Sequence, residues 1–579
     1  MDETAVGGEE PGVAVTPPPS RARLRVGLLV DSLMQPAWVV EVVRRIIGDG
    51  IADIACVVVN EAGESPVPRK LPMLQRASRW IENRDVLAYA AYQRFDAQRY
   101  PVGRDPEALE DLTPVIGGTP LVISVTPRMT KHCDYFPDDV VARIREQELD
   151  VLLRFGFRIL KGDVLSSARH GVWSFHHGDN TINRGGPAGF WEVMEGHRAT
   201  GAVLQRLTEQ LDAGHVIARS FAATEVLSFR RNRAKFYWIA AQLLPQALRR
   251  LRDEGPEQIE QPARWEAYSQ RLYVAPTTGE VVRLFLRLAK RIVKRKWIAV
   301  SEREQWIVAY RYTKGLPDSN DVPDGVLYRF QELQPPKDRI WADPFPAAHE
   351  GRHFLFFEEK LYAAPRAHLA VAEIDEKGRL GAHRIVLERP YHLSYPHVFR
   401  WNGGWYMVPE TFQERRVELY RTDTFPDGWT LQSVLLEDVE AVDPTIFEHG
   451  GRWWLSFASS VRGTHEASAL QLYHAESPLG PWAPHRNNPV KVDVRSARPA
   501  GRVFHHEGRL YRPAQDGSPR YGTGIVVHEL LELTPTSFRE EEVTRISATW
   551  RPGLTGTHTI NAAGGLTAID ARQRRSRFR

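Results

Sequence analysis

A repeated pattern of proline and glycine between residues 342 and 571 constrains the fold of this chain most strongly. Four copies have a proline, an apolar stretch, a turn glycine and a second apolar stretch, as in DPTIFEHGGRWWLSF, and a fifth, degenerate copy lacks the proline. The turn glycines lie 52, 48, 57 and 57 residues apart, and they are Gly351, Gly403, Gly451, Gly508 and Gly565. A period of about 50 residues with four short strands per unit is typical of a β-propeller. The copies predict an all-β propeller of five blades, and residues 305–311 could supply the strand that closes its ring.

The residues before this repeat have a different pattern, in which short apolar runs alternate with segments whose apolar residues are spaced as in a helix. The predicted strands are residues 23–30, 55–59, 121–125 and 151–153. Strands that alternate with helices predict a doubly wound α/β sheet. Ligands of such sheets bind at the carboxyl ends of the strands.

Residues 171–217 carry the chemistry-bearing side chains of this first half. His176 ends an apolar run, a glycine-rich polar loop follows, and Asp212 lies in a tight turn before the next strand. A histidine at a strand end and an aspartate in a turn are held firmly enough for general acid/base chemistry. Neighbouring side chains of an extended chain point to opposite sides, so His176 and His177 are not expected to share a metal ion, and we predict no metal site.

The order of these motifs resembles the folate-dependent formyltransferases, which act on methionyl-tRNA, glycinamide ribonucleotide and sugar amines. The resemblance covers residues 23–223, and Ser174 stands where the family has asparagine. The other matching positions are His176, Arg184-Gly185, Trp191, Thr200-Gly201 and Asp212-Ala213-Gly214.

This resemblance implies a Rossmann-like domain that transfers a formyl group from 10-formyltetrahydrofolate to an amine. It implies catalytic roles for His176, Asp212 and Ser174. It also implies that the cofactor-binding residues are Phe155, Gly156 and Arg158. The acceptor that it implies is an amino sugar or a nucleotide sugar in glycan or glycolipid biosynthesis.

The second half resembles the five-bladed arabinanases and β-xylosidases. It is more similar still to the amino-terminal module of plant glucosamine inositolphosphorylceramide transferases, through HLSYPHVF, WYMVPE and DPTIFEHGGRWWL. Because both classes handle carbohydrate, the resemblance implies that the propeller recognises a glycan. Asp343, Glu410 and Asp443 lie near matching places of three blades, and they are the candidate carbohydrate residues.

Two alternatives to this function stay open. Three inward carboxylates could hydrolyse or transfer a glycoside, with a vestigial formyltransferase half. The chain could also be a non-catalytic carbohydrate-binding scaffold. Tyr395 and Arg498 stand where the other copies have aspartate, and this difference favours binding over hydrolysis.

Composition and charge limit the kinds of partner and the cellular compartment that are expected for this chain. A net charge of +4 over 579 residues gives no signal for nucleic-acid binding, and two cysteines fit a reducing compartment. We find no secretory signal and therefore expect a cytoplasmic protein.

Residues 281–297 form a candidate helix with arginines and lysines opposite an apolar stripe, which predicts either a connector or peripheral contact with a membrane. The predicted divisions are a disordered tail (1–22), the formyltransferase-like domain (23–225), a helical connector (226–300) and the propeller (301–579).

Overall fold

The computed structural model describes residues 22–62, 84–118, 120–210, 214–259, 272–314, 322–323, 325–375 and 377–578. Residues 1–21 of the predicted tail lie outside these ranges. The α-helices are α1 (Ala37–Gly48), α2 (Arg84–Arg99), α3 (Thr113–Ile116), α4 (Asp138–Arg145), α5 (Phe190–Glu195), α6 (Phe229–Ala240), α7 (Leu243–Glu254) and α8 (Thr278–Ser301). Short 3₁₀ helices lie at Asp163–Ser166, Pro256–Gln258, Leu327–Arg329 and Phe412–Glu414.

A seven-stranded sheet forms the centre of the first half. In chain order its strands are β1 (Leu24–Val30), β3 (Ala52–Asn60), β5 (Leu121–Val125), β8 (Val151–Arg154), β10 (Val172–His176), β12 (Ala199–Arg206) and β13 (His215–Ala223). The spatial order is β13-β12-β10-β8-β1-β3-β5. The strands from β10 to β5 are parallel, whereas β12 is antiparallel to both of its neighbours. The sheet therefore has the predicted parallel part and an added antiparallel edge.

The sequence of β1, LRVGLLV, is almost entirely apolar because this strand is covered on both faces. Leu28 packs with the helices of one face, which include α1, α6 and α7. Leu29 packs into a separate core on the other face, together with α4. Three small sheets complete this half, and they join β2 (Met34–Pro36) to β4 (Leu109–Asp111), β6 (Arg128–Met129) to β7 (Cys133–Tyr135) and β9 (Ile159–Lys161), and β11 (Arg184–Gly185) to β14 (Leu272–Tyr273).

The second half is rich in β-strands, which form five antiparallel sheets. The first sheet contains β17 (Arg339–His349), β18 (Arg352–Leu361), β19 (His368–Ile374) and β20 (Leu380–Leu387), and the second contains β21 (Ser394–Trp401), β22 (Gly404–Glu410), β23 (Arg416–Thr422) and β24 (Thr430–Glu437). The third sheet contains β25 (Val442–His449), β26 (Arg452–Ser460), β27 (Ala467–Ala475), β28 (Ala483–Pro484) and β29 (Lys491–Val492), and the fourth contains β30 (Phe504–His506), β31 (Arg509–Asp516), β32 (Gly524–Leu533) and β33 (Phe538–Ser547). The fifth sheet contains β15 (Glu302–Tyr312), β16 (Gln331–Leu333), β34 (Leu554–Gly556), β35 (Ile560–Ala563) and β36 (Leu566–Ser576).

Each predicted repeat lies in a different one of these sheets. The turn glycine of every copy has a positive φ, between 72° and 81°, which explains why glycine recurs there. The predicted closing strand also exists, because β15 pairs along its whole length with β36 near the end of the chain. The repeat therefore predicted both the strands and the pairing of the first and last segments.

The first half packs mainly against the third sheet. Ala469 and Val492 of this sheet, and Val461 directly after β26, belong to the same apolar core as α1, α6 and α7. Ion pairs surround this core, among them Lys235 with Glu466 and Arg198 with Asp516. Among the residues that the structure describes, none of the helices has the length and apolar character needed to cross a membrane.

Candidate functional sites

A buried group of charged side chains lies where the first strands of the sheets meet. We call Asp343, Glu358, Glu410, Asp443, Arg498 and His558 the central cluster. Asp343, Tyr395 and Asp443 occupy matching places in β17, β21 and β25, where the strand register shifts and the next residue is proline. Their φ angles are 49°, 48° and 53°, an unusual conformation for residues other than glycine. A repeated bulge therefore sets the direction of one side chain in each strand.

Asp443 is the most highly coordinated carboxylate of the cluster. Its Oδ2 accepts a hydrogen bond of 2.6 Å from Arg498 Nε and one of 2.5 Å from Gln515 Nε2. Its backbone N–H donates to Glu410 Oε2 over 2.8 Å. Burial would lower the pKa of Arg498, but the charge of Asp443 and the other neighbours raise it overall. Arg498 therefore stands at the repeat position where two other copies have aspartate. Its positive charge pairs with Asp443 of the third sheet.

Asp343 belongs to a second hydrogen-bonded group. Its Oδ1 accepts from Thr559 Oγ1 over 2.6 Å, and its backbone N–H donates to Asp570 Oδ2 over 3.2 Å. His558 forms an ion pair with Asp570 through Nδ1, while its Nε2 lies 3.7 Å from Asp343 Oδ1. Ligand atoms of Asp343, His558 and Asp570 lie within 4.8 Å of one another, as metal ligands would. The Asp570 oxygens already accept hydrogen bonds from the backbone N–H groups of Asp343, His558 and Thr559.

Burial and mutual repulsion raise the pKa of three carboxyl groups of the cluster, those of Asp343, Glu358 and Glu410. Burial raises the pKa of Asp343 to about 6, with Asp443 and Asp570 adding to this effect against the opposing charge of His558. Burial also raises the pKa of Glu358 and of Glu410 well above the ordinary value, and neighbouring carboxylates raise both further. A protonated carboxyl beside an ionised one can donate and accept protons, as acid/base chemistry on a sugar requires.

The structure brings together all three predicted carbohydrate residues, Asp343, Glu410 and Asp443. Sequence reasoning missed Glu358 and His558, although the charged end of the apolar run HFLFFEE was a signal for the first of them. Tyr395, which stands in place of an aspartate of the repeat, belongs to an apolar core of the second half. Its ring is fully buried, and its hydroxyl lies 2.9 Å from Thr445 Oγ1 and accepts from the backbone N–H of Gly501.

A cavity of about 270 Å³ lies between the two halves and reaches the central cluster. Arg498 and Gln515, both partners of Asp443, line its inner end. The first half contributes Thr224, Glu225 and Lys235 to the same cavity. The first half therefore forms part of the entrance to the central cluster.

His176 lies at the carboxyl end of β10, as the sequence predicts, and its side chain lines a cavity of about 140 Å³. Its Nε2 lies 3.0 Å from the backbone carbonyl oxygen of Asn183 in the polar loop. Because a carbonyl only accepts, this nitrogen carries the hydrogen, which leaves Nδ1 of the neutral ring to accept a proton. The loop thus fixes the tautomer of His176.

His177 points away from that cavity into a cluster of aromatic rings. Its ring centre lies 4.3 Å from that of Tyr237 and 5.2 Å from that of Trp38. Burial lowers the pKa of His177 to about 3, so its imidazole is neutral. The two histidines face opposite sides, as the extended strand predicts.

Ser174 is buried beside His176 and shares the same cavity. Its Oγ accepts a hydrogen bond of 2.9 Å from Arg154 Nη1. Arg154 also donates to the backbone carbonyls of Phe157 and Arg158. The hydroxyl of Ser174 is therefore oriented by a guanidinium, and it donates a long hydrogen bond of 3.4 Å to the backbone carbonyl of Phe175. A stronger acceptor in the cavity can replace that carbonyl.

Asp212 lies outside the described residues, so its place beside His176 stays a prediction. Gln210 and Gly214, the described residues on either side of this gap in the sequence, line the cavity of His176. The residues predicted to bind a cofactor make contacts within the fold. Phe155 packs edge to face on Trp38, and Arg158 donates to Asp134 and to three backbone carbonyls. A Cβ on Gly156 would lie 2.4 Å from the backbone nitrogen of Asp31, so no larger residue fits there.

Residues 332–556 match the family model described as glucosamine inositolphosphorylceramide transferase 1, N-terminal. The glucosamine inositolphosphorylceramide transferase 1 of Oryza sativa subsp. japonica is 37% identical over 209 residues, which cover 35% of this chain and 28% of that protein. The protein of the same name from Arabidopsis thaliana is also 37% identical over 209 residues, which cover 27% of its length. The chain spans about a quarter of these relatives. Its second half is therefore similar to the amino-terminal module of the plant transferases, as its motifs predict.

Two solved structures show a partial likeness to this chain. A family 117 glycoside hydrolase of Zobellia galactanivorans is 14% identical, with a TM-score of 0.31 over 46% of this chain and 89% of that one. Glycinamide ribonucleotide transformylase 1 from Symbiobacterium toebii is 14% identical, with a TM-score of 0.26 over 40% of this chain and 89% of that one. Scores at this level support no assignment of fold or activity.

Proposed function

We propose that the chain acts on carbohydrate and that the central cluster binds the sugar, at the middle of a five-bladed propeller. One observation carries this proposal. Four carboxyl groups from four strands of three sheets converge at one buried point, where Arg498 forms an ion pair with Asp443. Sugar hydroxyls donate hydrogen bonds to carboxylates, and a ring of such acceptors recognises several hydroxyls at once. The similarity of residues 332–556 to proteins named as glucosamine transferases supports a glycan or glycolipid ligand.

The protonation of the cluster also supports chemistry on the bound sugar. A protonated Glu410 can donate to a glycosidic or acceptor oxygen, while Asp443 stays paired with Arg498. Asp343, with a pKa of about 6, can accept a proton at neutral pH. These roles fit transfer of a sugar, and the plant relatives are named transferases. The same roles also fit hydrolysis.

Calorimetric titration of the full chain with glucosamine-containing oligosaccharides, and with arabino-oligosaccharides for comparison, tests this proposal. We expect Asp343→Ala to weaken binding by about tenfold or more, because a charge-assisted hydrogen bond contributes about 1.5–3 kcal/mol. Asp427→Ala is the matched control, since Asp427 forms an exposed ion pair with Arg384 in another part of the second half. Equal binding by both variants and the unmodified chain would contradict the proposal. Release of reducing sugar would identify hydrolysis instead of transfer.

A second function, formyl transfer to an amine, is favoured by the arrangement around His176. This histidine lies at the carboxyl end of a parallel strand, with a fixed tautomer, beside a hydroxyl held by Arg154. In this proposal Nδ1 of His176 takes the proton of the attacking amine and returns it to the carrier nitrogen as the bond between that nitrogen and the formyl carbon breaks. Ser174 donates a hydrogen bond to the developing oxyanion. The acceptor would be an amino sugar, which connects this half to the carbohydrate site.

The formyl donor in this proposal is 10-formyltetrahydrofolate, which supplies the one-carbon group when it is bound. The cavity beside His176 fits a polar carrier, because Arg154, Ser174 and Gln205 bring polar side chains to its wall. The guanidinium of Arg158 already donates to Asp134 and to the neighbouring loop. We therefore assign the contact with the carrier to the cavity wall, with Arg158 stabilising the loop beside it.

Binding and turnover together test this second function. Fluorescence titration with 5-formyltetrahydrofolate measures carrier binding, and mass spectrometry of an amino-sugar acceptor measures formylation. We expect His176→Asn to lower turnover by about 10²-fold or more while carrier binding persists. His132→Asn, which changes an exposed histidine, is the control. If neither carrier binding nor formylation is detected with the unmodified chain, the formyltransferase half is vestigial.

A further inference from the structure

Helix α8 connects the two halves and presents a second, outward face. It has 24 residues and begins with a capping box, in which the side chains of Thr277 and Glu280 each accept a hydrogen bond from the other residue's backbone N–H. At a rise of 1.5 Å per residue the helix is about 36 Å long. Both of its faces therefore extend over a large part of the molecule.

The inward face differs from the sequence prediction. Val281, Leu284 and Leu288 are buried against the first half. Arg287 and Arg291 also point inward, because they donate to the backbone carbonyls of Met194 and Val193. The sequence predicted either a connector or contact of the arginine-rich side of this helix with a membrane. Two arginines of that side bind the helix to the first half.

The outward face carries an apolar stripe instead. Its members are Val282, Leu286, Val293, Trp297 and Val300. Each of them is between 54% and 67% exposed. At 100° per residue they fall within an arc of about 60°, so they form one continuous line along the helix. An exposed apolar line of this length, with a tryptophan in it, marks an interaction surface.

The borders of this stripe are positively charged. Arg283, Lys290, Lys294 and Lys296 are exposed beside it, and the helix has no acidic residue after Glu280. Two copies of this face would bring like charges together, which disfavours a dimer through the stripe. A negatively charged and partly apolar surface is complementary to both features. The interface of an anionic lipid bilayer has this chemistry.

We propose that the outward face of α8 binds the surface of an anionic membrane and lies parallel to it. Val282, Leu286 and Val293 enter the boundary between headgroups and acyl chains, and Trp297 takes the depth that tryptophan prefers. The lysines beside them contact the lipid phosphates. This proposal is independent of the sugar and formyl chemistry, since it concerns residues outside both sites.

Co-sedimentation of the full chain with phosphatidylcholine vesicles, prepared with and without phosphatidylserine, tests the proposal. We expect the chain to bind the anionic vesicles, and we expect a triple variant, Leu286→Gln, Val293→Gln and Trp297→Gln, to bind at least tenfold more weakly. Lys290→Gln with Lys294→Gln should remove the preference for phosphatidylserine. The matched control is Leu431→Gln with Val543→Gln, which replaces apolar residues of similar exposure on strands of the second half.

The replaced side chains are exposed, so circular dichroism and the melting temperature should not change, and a loss of binding then reports on the surface itself. Equal binding by the triple variant and the unmodified chain would overturn the proposal. Equal binding to vesicles with and without phosphatidylserine would also overturn it. Light scattering that shows a dimer of the unmodified chain and a monomer of the triple variant would overturn it too, because a second copy would then cover the stripe.

Discussion

The two candidate sites hold their functional side chains in opposite ways. At the His176 site, backbone carbonyls and one guanidinium orient two small polar groups at the edge of a sheet. In the central cluster, buried carboxyl groups face one another, and Arg498 and His558 supply the positive charge. The first arrangement places a proton acceptor without much burial of charge. The second buries charge, so its geometry and protonation depend on every member.

Removal of Asp443 is the strongest test of this difference. Asp443→Ala leaves the Arg498 guanidinium buried without its main acceptor, and we expect the free energy of unfolding to fall by about 3–5 kcal/mol. Asp427→Ala breaks the exposed pair with Arg384 and should cost about 0–1 kcal/mol. Urea denaturation followed by circular dichroism measures both values. Similar losses in the two variants would mean that the cluster does not depend on its ion pair.

The pH dependence of stability sharpens the comparison. Asp343 has a pKa of about 6 in the folded chain, whereas an unfolded aspartate has a pKa of about 3.9. The folded chain therefore holds this proton more tightly, and the stability that it contributes is present below pH ~4 and lost as the pH rises through about 6. The linked free energy is about 3 kcal/mol. Asp343→Asn should flatten the dependence between these pH values, and thermal melts across this range measure it. An unchanged slope would show that Asp343 is ionised throughout.

The smallest expected effect concerns the His176 site. Ser174→Ala removes the acceptor of Arg154 Nη1 in a buried place, and we expect a loss of about 1–3 kcal/mol in the free energy of unfolding. Ser174→Asn should recover part of it, because an amide oxygen can accept the same hydrogen bond. Denaturant titration of the two variants side by side gives the answer. If the alanine variant is as stable as the unmodified chain, Arg154 does not orient this hydroxyl.

Much of both sites could be predicted from sequence motifs, and the missing parts share a physical cause. His176 and the three carboxylates of the repeats stand at positions that a strand end or a turn defines locally. Glu358 and His558 do not occupy a repeat position, because Glu358 lies in the second strand of the first sheet and His558 lies in the loop between β34 and β35. Arg498 was recognised as a departure from the repeat, but its role as the partner of Asp443 depends on the meeting of two sheets.

The sequence by itself determined the periodic elements. The spacing of proline and glycine predicted the strands and turns of the second half, and the continuous apolar runs predicted the buried parallel strands of the first, because backbone conformation and burial of a face are local properties. Only the tertiary structure decided which charges meet and which helix face stays outside. For α8 the periodicity predicted an amphipathic helix. The structure shows that Arg287 and Arg291 donate hydrogen bonds to the carbonyls of Met194 and Val193. The apolar stripe that contains Leu286 and Trp297 therefore faces outward. Such contacts join residues far apart in the chain, and no local pattern encodes them.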